Sequence, residues 1–125
     1  TDFLKIQRNM TIGSLMKKIG TTRRNIFPVI DEDEKLVGII TLDDIREIML
    51  NSDIYNLLLA YEIMNPNFYS VELNTDINNV LDIFDEKNVW NIAVTHEGKY
   101  LGFISKSNLF NKYISVWSEQ ERAEI

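Results

Sequence analysis

A chain of 125 residues, 45% of them hydrophobic and 26% charged, is about one average domain and long enough to bury a core. Its 13 Lys and Arg against 19 Asp and Glu leave a net charge of −6, which opposes a surface built to track nucleic-acid phosphates. The lack of cysteine excludes a disulfide scaffold, thiolate catalysis and cysteine-ligated zinc, and agrees with a reducing compartment.

FLKI, residues 3–6, reads as a short strand, and the start at Thr1 without an initiator Met predicts a longer parent protein. A helix follows from near Thr11, whose hydroxyl can cap free amides. It carries Ile12, Leu15, Met16 and Ile19 at the spacing of one apolar helical face. IFPVI, a turn of acidic residues and KLVGII predict a β-hairpin. Gly38 leads into a second helix over about Leu42 to Leu50, and Asp53 to Met64, with Pro66 beyond it, reads as a helical linker.

The same order then returns. FYSVEL is a strand, and a helix begins near Thr75 or Asp76 with Ile77, Val80, Leu81 and Phe84 on its apolar face, each displaced by 65 from its first-copy counterpart (12 to 77). NIAVT, a turn at Glu97 and Gly98, and KYLGFI make a second hairpin, where the displacement falls to 64 (38 to 102). A last helix is predicted over Lys106 to Trp117. The fold class is therefore α+β, with two β-α-β-β-α copies packed pseudo-symmetrically as one module, since neither half can bury its sheet face alone. The expected boundaries are 1–52 for the first copy, 53–66 for the linker helix and the start of the second, and 67–125 for the second copy with its C-terminal helix.

Two such copies, each with a hydrophobe-Pro-Val-hydrophobe-Asp strand and a G-h-h-[ST]-x-x-[DN] turn, resemble a tandem pair of CBS domains, a Bateman module. The first copy carries the likeness in Phe27, Pro28, Val29, Ile30 and Asp31, then Gly38, Ile39, Ile40, Thr41 and Asp44. The second carries it in Ile63, Met64 and Pro66, then Gly102, Phe103, Ile104, Ser105 and Asn108. It departs at Ala93, which replaces the strand Pro, and at Thr95 and His96, which replace the hydrophobe and Asp; a weaker second site is expected there. The phrases RRNIFPVIDEDEKLVGIITLDDIREIML and WNIAVTHEGKYLGFISKSNLFNKY are similar to the cytoplasmic C-terminal CBS pair of bacterial CLC-type chloride channels and transporters.

The resemblance implies a site for an adenosine nucleotide, AMP, ADP or ATP, as a regulatory ligand, with no cofactor required. It places ribose at Asp44 and a phosphate-proximal hydroxyl at Thr41, with Asn108 and Ser105 in the same roles in the second copy. Adenine would lie against Ile26, Phe27 and Pro28 in one cleft and Asn91, Ile92 and Ala93 in the other. Phosphate candidates are Arg23, Arg24 and Lys106, with Lys17 and Lys18 in the same basic cluster. For each of the arginines and the two helix lysines taken singly, a solvated charge at a helix end is the favoured reading, and Lys106 either reaches a phosphate or points into water. Thr41-x-x-Asp44 is also the spelling of a capping box, and one pair of side chains can cap and bind together. The acidic run Asp31 to Glu34 lacks the Gly and ligand alternation of a calcium loop, and neither it nor the lone His96 is assigned a role.

The leading function is a regulatory nucleotide-sensing module of a chloride channel or transporter, lying on the cytoplasmic face of the cell membrane as the tail of an integral membrane protein. No apolar run nears the roughly 20 residues of a membrane span and no signal-peptide pattern opens the chain, so no direct insertion is expected. The partners are an upstream transport domain and a second copy of the chain, the latter meeting the aromatic face Phe110, Tyr113, Ile114 and Trp117; no nucleic acid is expected. The rivals are a structural dimerisation module with vestigial clefts, a regulatory pair serving another transporter or a soluble enzyme, and an enzyme in its own right. Enzymatic function is not expected, since no nucleophile-base pair, Gly-rich phosphate loop or metal-ligand spacing appears.

Overall fold

The computed structural model describes residues 4–107. The C-terminal aromatic face and Asn108 therefore lie outside the described residues. The chain forms β1 (Ile6–Gln7), α1 (Ile12–Ile19), β2 (Ile26–Ile30), β3 (Leu36–Thr41) and α2 (Leu42–Met49), then α3 (Ala60–Ile63), β4 (Ser70–Glu72), α4 (Ile77–Lys87), β5 (Asn91–His96) and β6 (Lys99–Ser105). The strands make two three-stranded sheets, β1-β2-β3 and β4-β5-β6. In each, the first strand runs parallel to the middle one and the last runs antiparallel.

The repeat holds at the level of register. Ile26 pairs with Thr41 in the first hairpin, and Asn91 pairs with Ser105 at the corresponding place in the second. The second hairpin turns on Glu97 and Gly98, both with positive φ (53° and 84°), which is the backbone a two-residue primed turn requires and which glycine adopts without strain. The first is one residue longer. There the Asp31 carboxylate accepts from the amides of Asp33 and Lys35 and tightens the turn, while Glu34 takes the left-handed conformation.

Caps also follow the local spelling. Thr11 Oγ1 accepts from the Ser14 amide, and Asp76, rather than Thr75, accepts from Asn78 at the start of α4. α1 buries Ile12, Leu15 and Ile19 against Ile6, Phe27, Val29 and Ile40. α4 is turned differently from expectation. Its core stripe is Val80, Ile83 and Phe84, while Ile77 and Leu81 remain 49% and 41% exposed.

The segment between the copies is not one helix. It makes a 3-10 turn at Ser52–Ile54 and, only after an extended residue at Leu59, the single helical turn of α3. Its backbone is taken by the first copy: Ile12 and Gly13 amides donate to the Leu58 and Tyr55 carbonyls, and Ala60 and Tyr61 amides donate to Met10 and Arg8. The first two satisfy amides at the α1 start that would otherwise lack partners, and a continuous linker helix could not supply those carbonyls. Leu58, Ile63 and Met64 pack on the first core.

The copies join at two backbone seams. Ile39 and Asn65 exchange reciprocal hydrogen bonds of 3.0 and 2.8 Å. Leu36 donates to Gly98 and Tyr100 to Glu34, so the two hairpin tips also meet.

Candidate functional site

Two clefts open where the hairpins of the copies come together. The larger, about 550 Å³, is walled by Asn25, Ile26, Thr41 and Arg46 from the first copy and by Trp90 and Asn91 from the second. The smaller, about 250 Å³, takes Ile26 and Ile39 from the first copy and Phe68, Tyr69, Ala93 and Phe103 from the second, with Trp90 and Asn91 again in its wall. Ile26, Trp90 and Asn91 are thus common to both.

Thr41 stands at the rim of the larger cleft because β3 ends there and α2 begins. Its Oγ1 accepts from the Asp44 amide at 3.2 Å, and Asp44 Oδ2 accepts from the Thr41 amide at 3.0 Å, a complete capping box. This commits one lone pair of each side chain. The Thr41 hydroxyl keeps its hydrogen to donate, and the exposed Asp44 carboxylate keeps Oδ1 and further lone pairs, enough to accept two vicinal hydroxyls. Capping and binding are chemically compatible at these residues, but only Thr41 lines the cleft; Asp44, one turn into α2, lines neither cleft.

The strand residues separate by the period-two rule. Ile26, Asn91 and Ala93 reach a cleft wall. Phe27 and Ile92, expected beside a bound ring, are fully buried in the two cores instead, and Pro28, although on the Ile26 face, is fully buried and lines neither cleft. Ser105 sits at the end of β6 opposite Asn91. Arg23 and Arg24 are exposed, and neither lines either cleft; Lys18 donates to the Lys5 carbonyl at 2.8 Å.

Two cleft residues were not singled out in the sequence. Arg46 lies one turn into α2 and pairs with Asp43 at 2.9 Å; both side chains are exposed, so the pair contributes little and yields readily to a competing anion. Trp90, 69% exposed, precedes β5 and carries Lys106, whose ammonium lies 5.4 Å from the ring centroid and whose amide donates to the Trp90 carbonyl at 2.9 Å. The signal in the sequence is positional: Trp90 corresponds to Asn25, immediately before the middle strand of each copy.

The second-copy departures have local structural reasons. Ala93 supplies an N–H that donates to the Tyr69 carbonyl at 3.0 Å, which a Pro cannot do. Thr95, 7% exposed, donates its hydroxyl to Glu72 Oε2 at 3.0 Å, so the polar replacement is satisfied. His96 is exposed beside the turn.

A model of the CBS domain matches residues 1–51 and again 60–115. The chain belongs to the CBS domain family. Its two copies form a tandem CBS pair, as the repeat and the paired sheets require. No curated protein sequence matches it significantly. Among solved structures, the CBS pair is similar to Staphylococcus aureus OpuCA, with a TM-score of 0.76 and 19% identity over 93% of this chain and 96% of that one. It is similar to the CBS domain of a CBS domain containing membrane protein from Sphaerobacter thermophilus, with a TM-score of 0.75 and 17% identity over 89% and 82%. It also matches CBSX2 in complex with AMP, with a TM-score of 0.72 and 17% identity over 90% and 87%. At these identities the likeness shows the fold.

Proposed function

We propose that this CBS pair is a regulatory module that binds an adenosine nucleotide between its copies. The observation that carries the reading is the shared wall: Ile26 and Thr41 of one copy face the same cleft as Trp90 and Asn91 of the other. A ligand there touches both copies and favours the arrangement it fits best, a population shift that an attached domain can read. Asp44 would accept from ribose, Thr41 would sit nearer the phosphates, and Ser105 and Asn108 would serve the second cleft. Arg23, Arg24 and Lys106, none of which lines either cleft, remain the proposed phosphate partners, and Arg46, which lines the larger one, joins them. The complex of CBSX2 with AMP supports this ligand class.

We further propose that the module is the tail of a CLC-type chloride protein on the cytoplasmic face of the cell membrane, and that it pairs with a second copy through Phe110, Tyr113, Ile114 and Trp117. The likeness of the two quoted hairpin phrases supports the first, and helical spacing of the aromatic residues supports the second. No helix among the described residues is long and apolar enough to cross a membrane. Melting of the chain with AMP, ADP or ATP at 100 times Kd should show about 2.7 kcal/mol of added stability. Identical melting curves with and without each nucleotide would favour the rival reading, a structural dimerisation module.

A further inference from the structure

An indole that is 69% exposed at the junction of two clefts is an unusual use of tryptophan. Trp90 is held there from both sides of its backbone. The preceding helix ends in left-handed Asn88, which redirects the chain, and the Trp90 carbonyl accepts from Lys106 at 2.9 Å, which ties it to the end of β6. The backbone is therefore fixed while the ring's surface stays accessible. Lys106 lies over the ring at 5.4 Å, so one face carries a cation, and the exposed indole keeps surface for a planar partner. The smaller cleft beside it adds Phe68, Tyr69 and Phe103, an aromatic lining suited to a heteroaromatic ring.

We infer that Trp90 is the stacking platform for the base and that, because both clefts share it, the pair takes one stacked nucleotide per chain. This rests on the nucleotide reading above and deepens it. An indole with one face under Lys106 offers a single face to a base, so a ligand stacked from either cleft denies that face to the other. The two clefts are then coupled through one side chain without any change in the sheets.

The test uses the whole chain with Trp117→Phe, which leaves Trp90 as its one tryptophan, and titrates AMP and ATP by calorimetry and indole fluorescence. The expected result is quenching of Trp90 that saturates with a stoichiometry of one per chain. Trp90→Ala should weaken binding by roughly ten-fold or more, as lost base stacking does, while Trp90→Phe retains most of the affinity. Because the side chain is exposed, both variants should melt like the parent. Binding that survives Trp90→Ala unchanged but falls with Asp44→Ala would overturn the stacking inference and leave the nucleotide reading standing. Two equivalent nucleotides per chain would overturn the sharing of one ring. No binding to the unaltered chain would overturn both.

Discussion

The Ala93 amide donates to the Tyr69 carbonyl at 3.0 Å, a bond that its first-copy counterpart Pro28 cannot form. The consequence is visible in the sheets. β4 pairs with β5 from Ser70 opposite Ala93, whereas β1 begins pairing one position later, with Ile6 opposite Val29. Proline is tolerated in a middle strand here because no strand residue stands opposite its missing donor. Ala93→Pro should cost about 0.5–1.5 kcal/mol through the lost bond and loosen Tyr69, which lines the smaller cleft. Urea unfolding measures the first effect; a midpoint equal to that of the parent would show that the Tyr69 bond contributes nothing.

Gly38 and Gly102 occupy the same place in the two copies but different surroundings. A Cβ on Gly38 would overlap Met64 Sδ and stand 2.8 Å from its Cγ, while a Cβ on Gly102 meets nothing within 4 Å among the described residues. Gly38→Ala should therefore destabilise by about 1–3 kcal/mol, the usual cost of overpacking, and Gly102→Ala should be near neutral. Met64→Ala in the same chain should remove much of the Gly38→Ala penalty. Equal penalties at the two glycines would contradict the packing of Met64 on the first sheet.

The duplicated order was legible because apolar spacing, hairpin turns and caps are local properties, and Thr11, Gly98 and Asp76 all act as their positions suggest. The break in the linker is not legible, because its structure is set at a distance: Tyr55 and Leu58 turn their carbonyls to amides at the start of α1, and no local pattern announces that. The cleft was half legible. Thr41 and Ile26 reach it as expected, but Phe27 and Ile92 alternate into the cores, and Arg46 and Trp90 enter through the meeting of the copies.

Thr95 is a polar residue in a place that calls for a hydrophobe, and Glu72 holds it. The carboxylate accepts from the Thr95 hydroxyl at 3.0 Å and, through Oε1, from the Glu97 amide at 2.9 Å. Glu72→Ala should cost about 1–3 kcal/mol because it strands a buried hydroxyl. Thr95→Val should cost less, and the double substitution should cost less than the sum of the two. Strict additivity in denaturant titrations would mean that the pair is not coupled.

Thr41 and Asp44 carry a structural duty and a proposed binding duty, which different substitutions separate. Thr41→Ala removes a cap and should cost about 0.5–2 kcal/mol of stability. Asp44→Ala should weaken nucleotide binding by about 1.5–3 kcal/mol, the value of a hydrogen bond to a charged acceptor. Calorimetric affinity unchanged by Asp44→Ala would leave Asp44 as a helix cap only.

The shared cleft is tested most directly by two-dimensional NMR of the isotope-labelled chain titrated with AMP, since every amide reports its own surroundings. The account predicts that the largest shifts fall on Asn25, Ile26, Thr41 and Asn91 together with the Trp90 indole N–H, drawn from both copies and saturating along one curve. No shifts at saturating nucleotide would contradict it. So would shifts confined to a separate hollow of the first copy, where Thr11, Ser14, Lys17 and Tyr55 line about 510 Å³.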